Sequence, residues 1–123
     1  MQRCRTGARA RKALIVQAQR LMLPFLTDVL QGAGLGDVVA FRSPSATTVR
    51  RVRPDVVVLD VDAPGARPLE LIMRARRHTD ARIVVLTRSD DSAWNALALA
   101  IGADRVLGPR ADRQDLFTAV AIL

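Results

Sequence analysis

The sequence predicts an α/β domain built on a parallel sheet with helices on both faces. Three observations carry this. Short apolar runs alternate with amphipathic stretches from Ala13 onward. The central run, Val56-Val57-Val58-Leu59, has no polar alternation, as a strand covered on both faces requires. Five such βα steps follow one another, and strands separated by helices need crossover connections, hence parallel pairing.

Ala13-Leu14-Ile15-Val16 is the first buried strand. Over Arg20 to Gln31, Leu23, Leu26, Val29 and Leu30 share one helical face, and Pro24 sets the start near itself. Gly32, Gly34 and Gly36 end this helix in a loop. Asp37 to Phe41 is a second strand, and Ser43-Pro44-Ser45 a turn that caps a short helix from Ala46 to Val52. Pro54-Asp55 opens the central strand, which stops at Asp60 before a turn over Val61-Asp62-Ala63-Pro64-Gly65. Pro68 to His78 forms a helix with Leu69, Ile72 and Met73 facing inward. Arg82 to Leu86 is the fourth strand, ending at Thr87. Ser89, Asp90 and Asp91 offer caps for a helix to Ile101, which Gly102 ends. Asp104 to Leu107 is the last strand, and Asp112 caps a final helix to Leu123 with Asp115 in its first turn.

The chain has 123 residues, enough for one domain that buries a sizeable core. No apolar run approaches the ~20 residues of a spanning helix, and no secretory signal opens the chain, so a cytoplasmic protein without a membrane partner is expected. The single cysteine, Cys4, excludes an intrachain disulfide and a cysteine-based zinc site. The net charge is +7, but Arg3, Arg5, Arg9, Arg11 and Lys12 place +5 in the first twelve residues, and the other 111 carry fourteen basic and twelve acidic side chains. Residues 1–12 are therefore expected to be a disordered basic tail and 13–123 the folded domain. Such a tail binds nucleic acid weakly and without sequence choice. Lys12 is the only lysine. An apolar end, Ala121-Ile122-Leu123, suggests a domain cut from a longer protein.

Ligands of open parallel sheets bind at the carboxyl ends of the strands. That selects Gln17, Ala18 and Gln19 after the first strand, Asp60 at the end of the third, Thr87 and Arg88 after the fourth, and Gly108, Pro109 and Arg110 after the fifth. An aspartate beside a hydroxyl could carry an acyl-phosphate; equally, Asp60 could only cap the following turn. His78 ends a basic helix segment, which suits a helix C-terminus better than catalysis. Trp94 reads as packing. The glycines follow a helix, so no dinucleotide fingerprint exists.

Pro54 to Val61, with Pro64-Gly65 and Leu69-Glu70-Leu71, resembles the central motif of response-regulator receiver domains, the CheY-like family. Ile83 to Thr87 and Gly102-Ala103-Asp104 are similar to that family's fourth strand and the turn before its fifth. Asp112 and Leu116 fall where the family starts its last helix. The likeness spans Lys12 to Leu123 and implies a flavodoxin-like (βα)5 fold, strand order 2-1-3-4-5. It implies Asp60 at the phosphoacceptor position and Thr87 at the switch hydroxyl. It also implies two acidic residues after the first strand holding magnesium, where this chain has Gln17 and Ala18, and a lysine after the fifth, where it has Pro109, or Gly108 with a one-residue slip. Val106 stands at the switch aromatic, and Arg88 where a small residue is common.

The expectation is a degenerate, non-enzymatic receiver of a bacterial regulator, with magnesium binding weak or absent and Asp60 unused. Arg88 or Arg110 is expected to pair with Asp60 or Asp62, and Asp62 otherwise to lie in solvent. A homodimer is expected through Trp94, Leu97, Val106, Arg113 and Phe117. A histidine kinase or another regulator is a possible partner, and DNA would be reached only through an output domain. The alternatives are a working phosphoacceptor in which an arginine replaces the lysine, a stand-alone nucleic-acid binder using the tail, and a small-molecule sensor using the vacated pocket.

Overall fold

The computed structural model describes residues 11–16, 22–42, 46–62 and 67–121. The expected tail up to position 10, Gln17 and Ala18, the turn 43–45 and positions 63–66 lie outside them. In chain order the elements are β1 Lys12–Val16, α1 Leu23–Gly32, β2 Asp37–Phe41, α2 Ala46–Val52, β3 Val56–Asp60, α3 Pro68–His78, β4 Arg82–Leu86, α4 Ser92–Ile101, β5 Arg105–Leu107 and α5 Arg113–Val120. The five strands form one parallel sheet in the order β2-β1-β3-β4-β5. That is the predicted 2-1-3-4-5 topology.

The alternation of side chains along each strand divides the core in two. Ala13 and Ile15 of β1, Val56 and Val58 of β3 and Val84 of β4 pack with Leu26, Val29 and Leu30 of α1 and Leu116, Ala119 and Val120 of α5. Leu14, Val16, Val57, Leu59, Ile83 and Val85 point the other way, onto Val49 of α2, Ile72 and Ala75 of α3 and Ala98 of α4. All five residues of β3 are buried, which the uninterrupted apolar run foretold. Strand β2 lies at an edge and is half-exposed, with Phe41 41% accessible.

Aspartates close the amino-terminal rim of the sheet. The Asp55 carboxylate accepts the Lys12 N–H at 2.8 Å, and Asp104 accepts that of Ile83 at 2.8 Å. Lys12 is thus the first residue of β1, not the last of a tail. Asp104 precedes β5, which starts one residue later than the sequence predicts.

Helix α3 differs from expectation in its inward face. Leu71, Ile72 and Ala75 are buried, and Leu69 is half-buried, but Met73 is 48% exposed. The stripe is rotated by about one residue because half-buried Arg76 claims a place beside Ile72. Its guanidinium donates to the carbonyls of Gly102 at 3.0 Å, Thr79 at 2.9 Å and Ala81 at 2.6 Å, and to Asp104 at 3.2 Å. Gly102, at φ +140, lies so close that a Cβ there would sit 2.8 Å from the Arg76 side chain. Helix α5 is capped as predicted: Asp112 accepts the Asp115 N–H at 2.9 Å while Asp115 accepts that of Asp112 at 3.0 Å. Its helical span ends at Val120, short of the predicted Leu123.

Candidate functional site

Residue parity sets the site. Asp60 ends β3 in phase with Val56 and Val58, on the face covered by α1 and α5. It opens into a cavity of about 320 Å³ at the carboxyl rim of the sheet. Met22, which precedes α1, and Phe25 and Leu26 of α1 form one side of its walls; Leu86, Leu107 and Leu116 come from β4, β5 and α5. The polar part is Asp60, Asp62, Thr87, Arg88, Asp112 and Arg113, with Gly108 and Pro109 after β5. The apolar wall residues Met22, Phe25 and Leu116 were not legible as site residues. Periodicity assigned Leu26 to the core but could not tell which helix end overhangs the strand tips.

Asp60 is buried, 8% exposed, and its Oδ1 accepts the Asp62 N–H at 3.1 Å. The turn-capping reading of Asp60 therefore holds for one oxygen; Oδ2 has no hydrogen-bond partner among the described residues. Thr87 is 7% exposed and stands beside it, since Asp60 registers with Leu86. The Thr87 hydroxyl accepts the Ser89 N–H at 3.0 Å. Ser89 Oγ accepts the Asp91 N–H at 3.1 Å, and Asp91 caps α4 by accepting the N–H of Ala93 at 2.9 Å. A ladder of side-chain caps thus runs from the site into α4.

The arginines do not take the expected places. Arg110 faces away and makes an exposed ion pair with Asp90 at 3.8 Å. Arg88 meets Asp62 through its backbone N–H, at 2.7 Å, and its guanidinium has no carboxylate partner among the described residues. Asp62 is accordingly half-buried and hydrogen-bonded, not free in solvent. No side-chain cation touches Asp60 among the described residues. The reason is geometric: Asp90 stands beside Arg110 across the β4 and β5 loops, and Arg88 projects from an exposed bend.

Of the residues expected at a dimer surface, Leu97 and Phe117 are exposed, 46% and 38%. Trp94 and Val106 pack partly against the α2–α4 side of the core. Arg113 turns to α1, where it pairs with Asp28 and lies 5.8 Å from the centre of the Phe25 ring. His78 is half-buried at the other end of the sheet, lining a second hollow with Arg50, Arg53 and Asp55. Among the described residues, no three His, Cys, Asp or Glu side chains gather as metal ligands would, and no helix is long and apolar enough to cross a membrane.

An open parallel sheet with a buried aspartate at the carboxyl end of its central strand, and a hydroxyl on the next, defines the class: a doubly wound domain with its ligand site at the switch edge. The chain belongs to the response regulator receiver domain family, whose profile matches residues 13–121. Among curated proteins it is 34% identical over 94 residues to the DNA-binding response regulator MtrA of Mycolicibacterium smegmatis, covering 76% of this chain and 41% of that protein. It is 33% identical to MtrA of Mycobacterium tuberculosis strain H37Rv, again over 76% and 41%. The chain therefore spans about two-fifths of the length of these relatives. Among solved structures, the Vibrio cholerae chemotaxis protein CheY4 superposes with a TM-score of 0.76 at 20% identity, over 91% of this chain and 97% of that one. The signal receiver domain from Bermanella marisrubri superposes equally well, 0.76 at 20% identity, over 91% and 96%. These structures share the fold.

Proposed function

We propose that this receiver domain works as an interaction module and not through magnesium-dependent phosphorylation of Asp60. The observation that carries the reading is that no side-chain cation reaches Asp60 among the described residues. The only lysine of the whole sequence, Lys12, begins β1 at the opposite rim of the sheet. It is four strand steps of about 3.3 Å from the carboxyl ends. Pro109 and Gly108 occupy the positions from which a lysine would reach the aspartate. Bringing a dianionic phosphoryl group against a carboxylate requires compensating positive charge in place beforehand.

The donor set does not fit magnesium. Magnesium asks for octahedral oxygen ligands, carboxylates above all. Asp60 and Asp62 each spend an oxygen on a backbone N–H, at 3.1 and 2.7 Å. Gln17 has one neutral side-chain oxygen and Ala18 none.

In this reading the domain belongs to a cytoplasmic regulator, with a histidine kinase or another regulator as partner. It pairs with a second copy through exposed Leu97 and Phe117. The MtrA proteins it resembles are DNA-binding response regulators; DNA would be reached here through an output domain. One observation favours a working phosphoacceptor instead, the Arg88 guanidinium at the cavity wall, which no carboxylate engages among the described residues. Incubation with acetyl phosphate and magnesium, followed by intact mass measurement, decides. The unmodified mass is expected. A stoichiometric phosphoryl adduct, removed by Asp60→Asn, overturns the proposal.

A further inference from the structure

We propose that the hollow at the amino-terminal rim of the sheet, between α2 and the α3–β4 turn, binds the phosphate backbone of a nucleic acid through Arg50 and Arg53. The inference does not depend on how Asp60 is used, since that residue lies at the opposite rim.

The hollow measures about 690 Å³ and takes Arg50, Arg53, His78 and Arg82 into its lining. Arg53 carries the argument. It follows α2 directly, and its N–H closes the helix on the Val49 carbonyl at 3.1 Å. Its φ is +52, and it is the one non-glycine residue with a positive φ among the described residues. Glycine fills such a helix-ending position freely, whereas a Cβ there costs stability. A backbone penalty accepted at an exposed arginine points to a use for the guanidinium.

The charges around it favour an anion. Arg50 and Arg53 are exposed, and neither guanidinium has a hydrogen bond or ion pair among the described residues. Arg82 gives Nη1 to the Ala119 carbonyl at 3.3 Å. Of the rim's carboxylates, Asp55 and Asp104 accept the N–H groups of Lys12 and Ile83, and Asp104 also pairs with Arg76. Asp80 lines the hollow from an exposed position, and Asp37 stands farther along, at the start of β2. Exposed Arg51 and Arg77, in the last turns of α2 and α3, and Arg105, which begins β5, extend the positive charge beyond the hollow.

The lining chooses among polyanions. Among the described residues, none of the large exposed apolar side chains borders the hollow, so it lacks the anchors on which protein interfaces centre. No Phe or Trp ring is there to stack a base. Contact is therefore to phosphate oxygens, which the guanidinium fork fits, and carries no sequence choice.

The test is fluorescence anisotropy of a short labelled DNA duplex titrated with the full chain, over salt from about 50 to 200 mM. Saturable binding is expected, its log affinity falling with log salt. Arg53→Gly is expected to bind roughly tenfold more weakly at the low-salt end, with a slope shallower by about one, as the loss of one phosphate contact implies. Its urea midpoint is expected to equal or exceed the parent's, because glycine relieves the backbone. Arg50→Ala is expected to lower the slope by the same amount. Arg110→Ala, which removes the same charge at the opposite rim, is expected to leave it unchanged. Absence of duplex binding overturns the proposal. So does a slope unchanged when Arg50→Ala and Arg53→Gly are combined, which would assign the binding to residues 1–10, or an Arg110→Ala loss equal to that of Arg53→Gly. A urea midpoint lowered by Arg53→Gly would show an arginine kept for the fold and overturns it as well. Polyglutamate displacing the duplex at equal charge concentration would make an acidic protein the partner, and likewise overturns it.

Discussion

Arg76 shows how much a single charged side chain can organise without touching the site. It closes the carboxyl end of α3 by bonding Thr79 and Ala81, and joins it to the end of α4 through Gly102 and Asp104. Its side chain is only 29% exposed, so those bonds are not simply exchanged for water. Arg76→Ala is expected to cost about 2 kcal/mol in urea unfolding, the scale of hydrogen bonds to a charged group. Arg110→Ala is expected to change stability by less than about 0.5 kcal/mol, because its pair with Asp90 is solvent-exposed. A larger loss would mean that Arg110 reaches a partner other than Asp90. The same contrast marks what a sequence can reveal about residues. Asp60 and Thr87 were readable because strand ends announce themselves. The roles of Arg76, Asp62 and Arg88 were not, because each depends on which backbone groups two loops bring together.

At the scale of elements, strong local signals decided the boundaries. Helix α3 opens on a proline and closes on basic residues, and strands β2 and β4 span the predicted Asp37–Phe41 and Arg82–Leu86, each ending with its apolar run. The inward face of α3 was harder. In eleven residues, the stripes Leu69-Ile72-Met73 and Leu71-Ile72-Ala75 both satisfy helical spacing and share Ile72, so only the packing against β4 and α4 chooses between them. The cap of α5 was plain, since Asp112 and Asp115 stand at the separation a reciprocal cap demands. Asp112→Ala is expected to destabilise the domain by about 1 kcal/mol, measured by chemical unfolding. It should also loosen the α5 wall of the cavity, since Leu116 donates its N–H to the Asp112 carbonyl at 3.1 Å.

At the scale of the whole molecule, the sheet presents two rims with different chemistry. The amino-terminal rim is sealed by Asp55 and Asp104 against strand N–H groups, a structural use of carboxylates. The carboxyl-terminal rim holds Asp60 in the wall of a cavity, where one of its oxygens accepts the Asp62 N–H. The strand order was legible only through the resemblance, because periodicity yields five βα units without saying which strand lies central. The missing lysine was legible outright, since the sequence contains only one. The central claim is that Asp60 lacks the means to gather a divalent cation. Titration of the full chain with magnesium, followed by calorimetry and the amide spectrum of Asp60 and its neighbours, tests it most directly. No saturable binding through the millimolar range is predicted; a one-to-one magnesium site lost in Asp60→Asn would contradict the account.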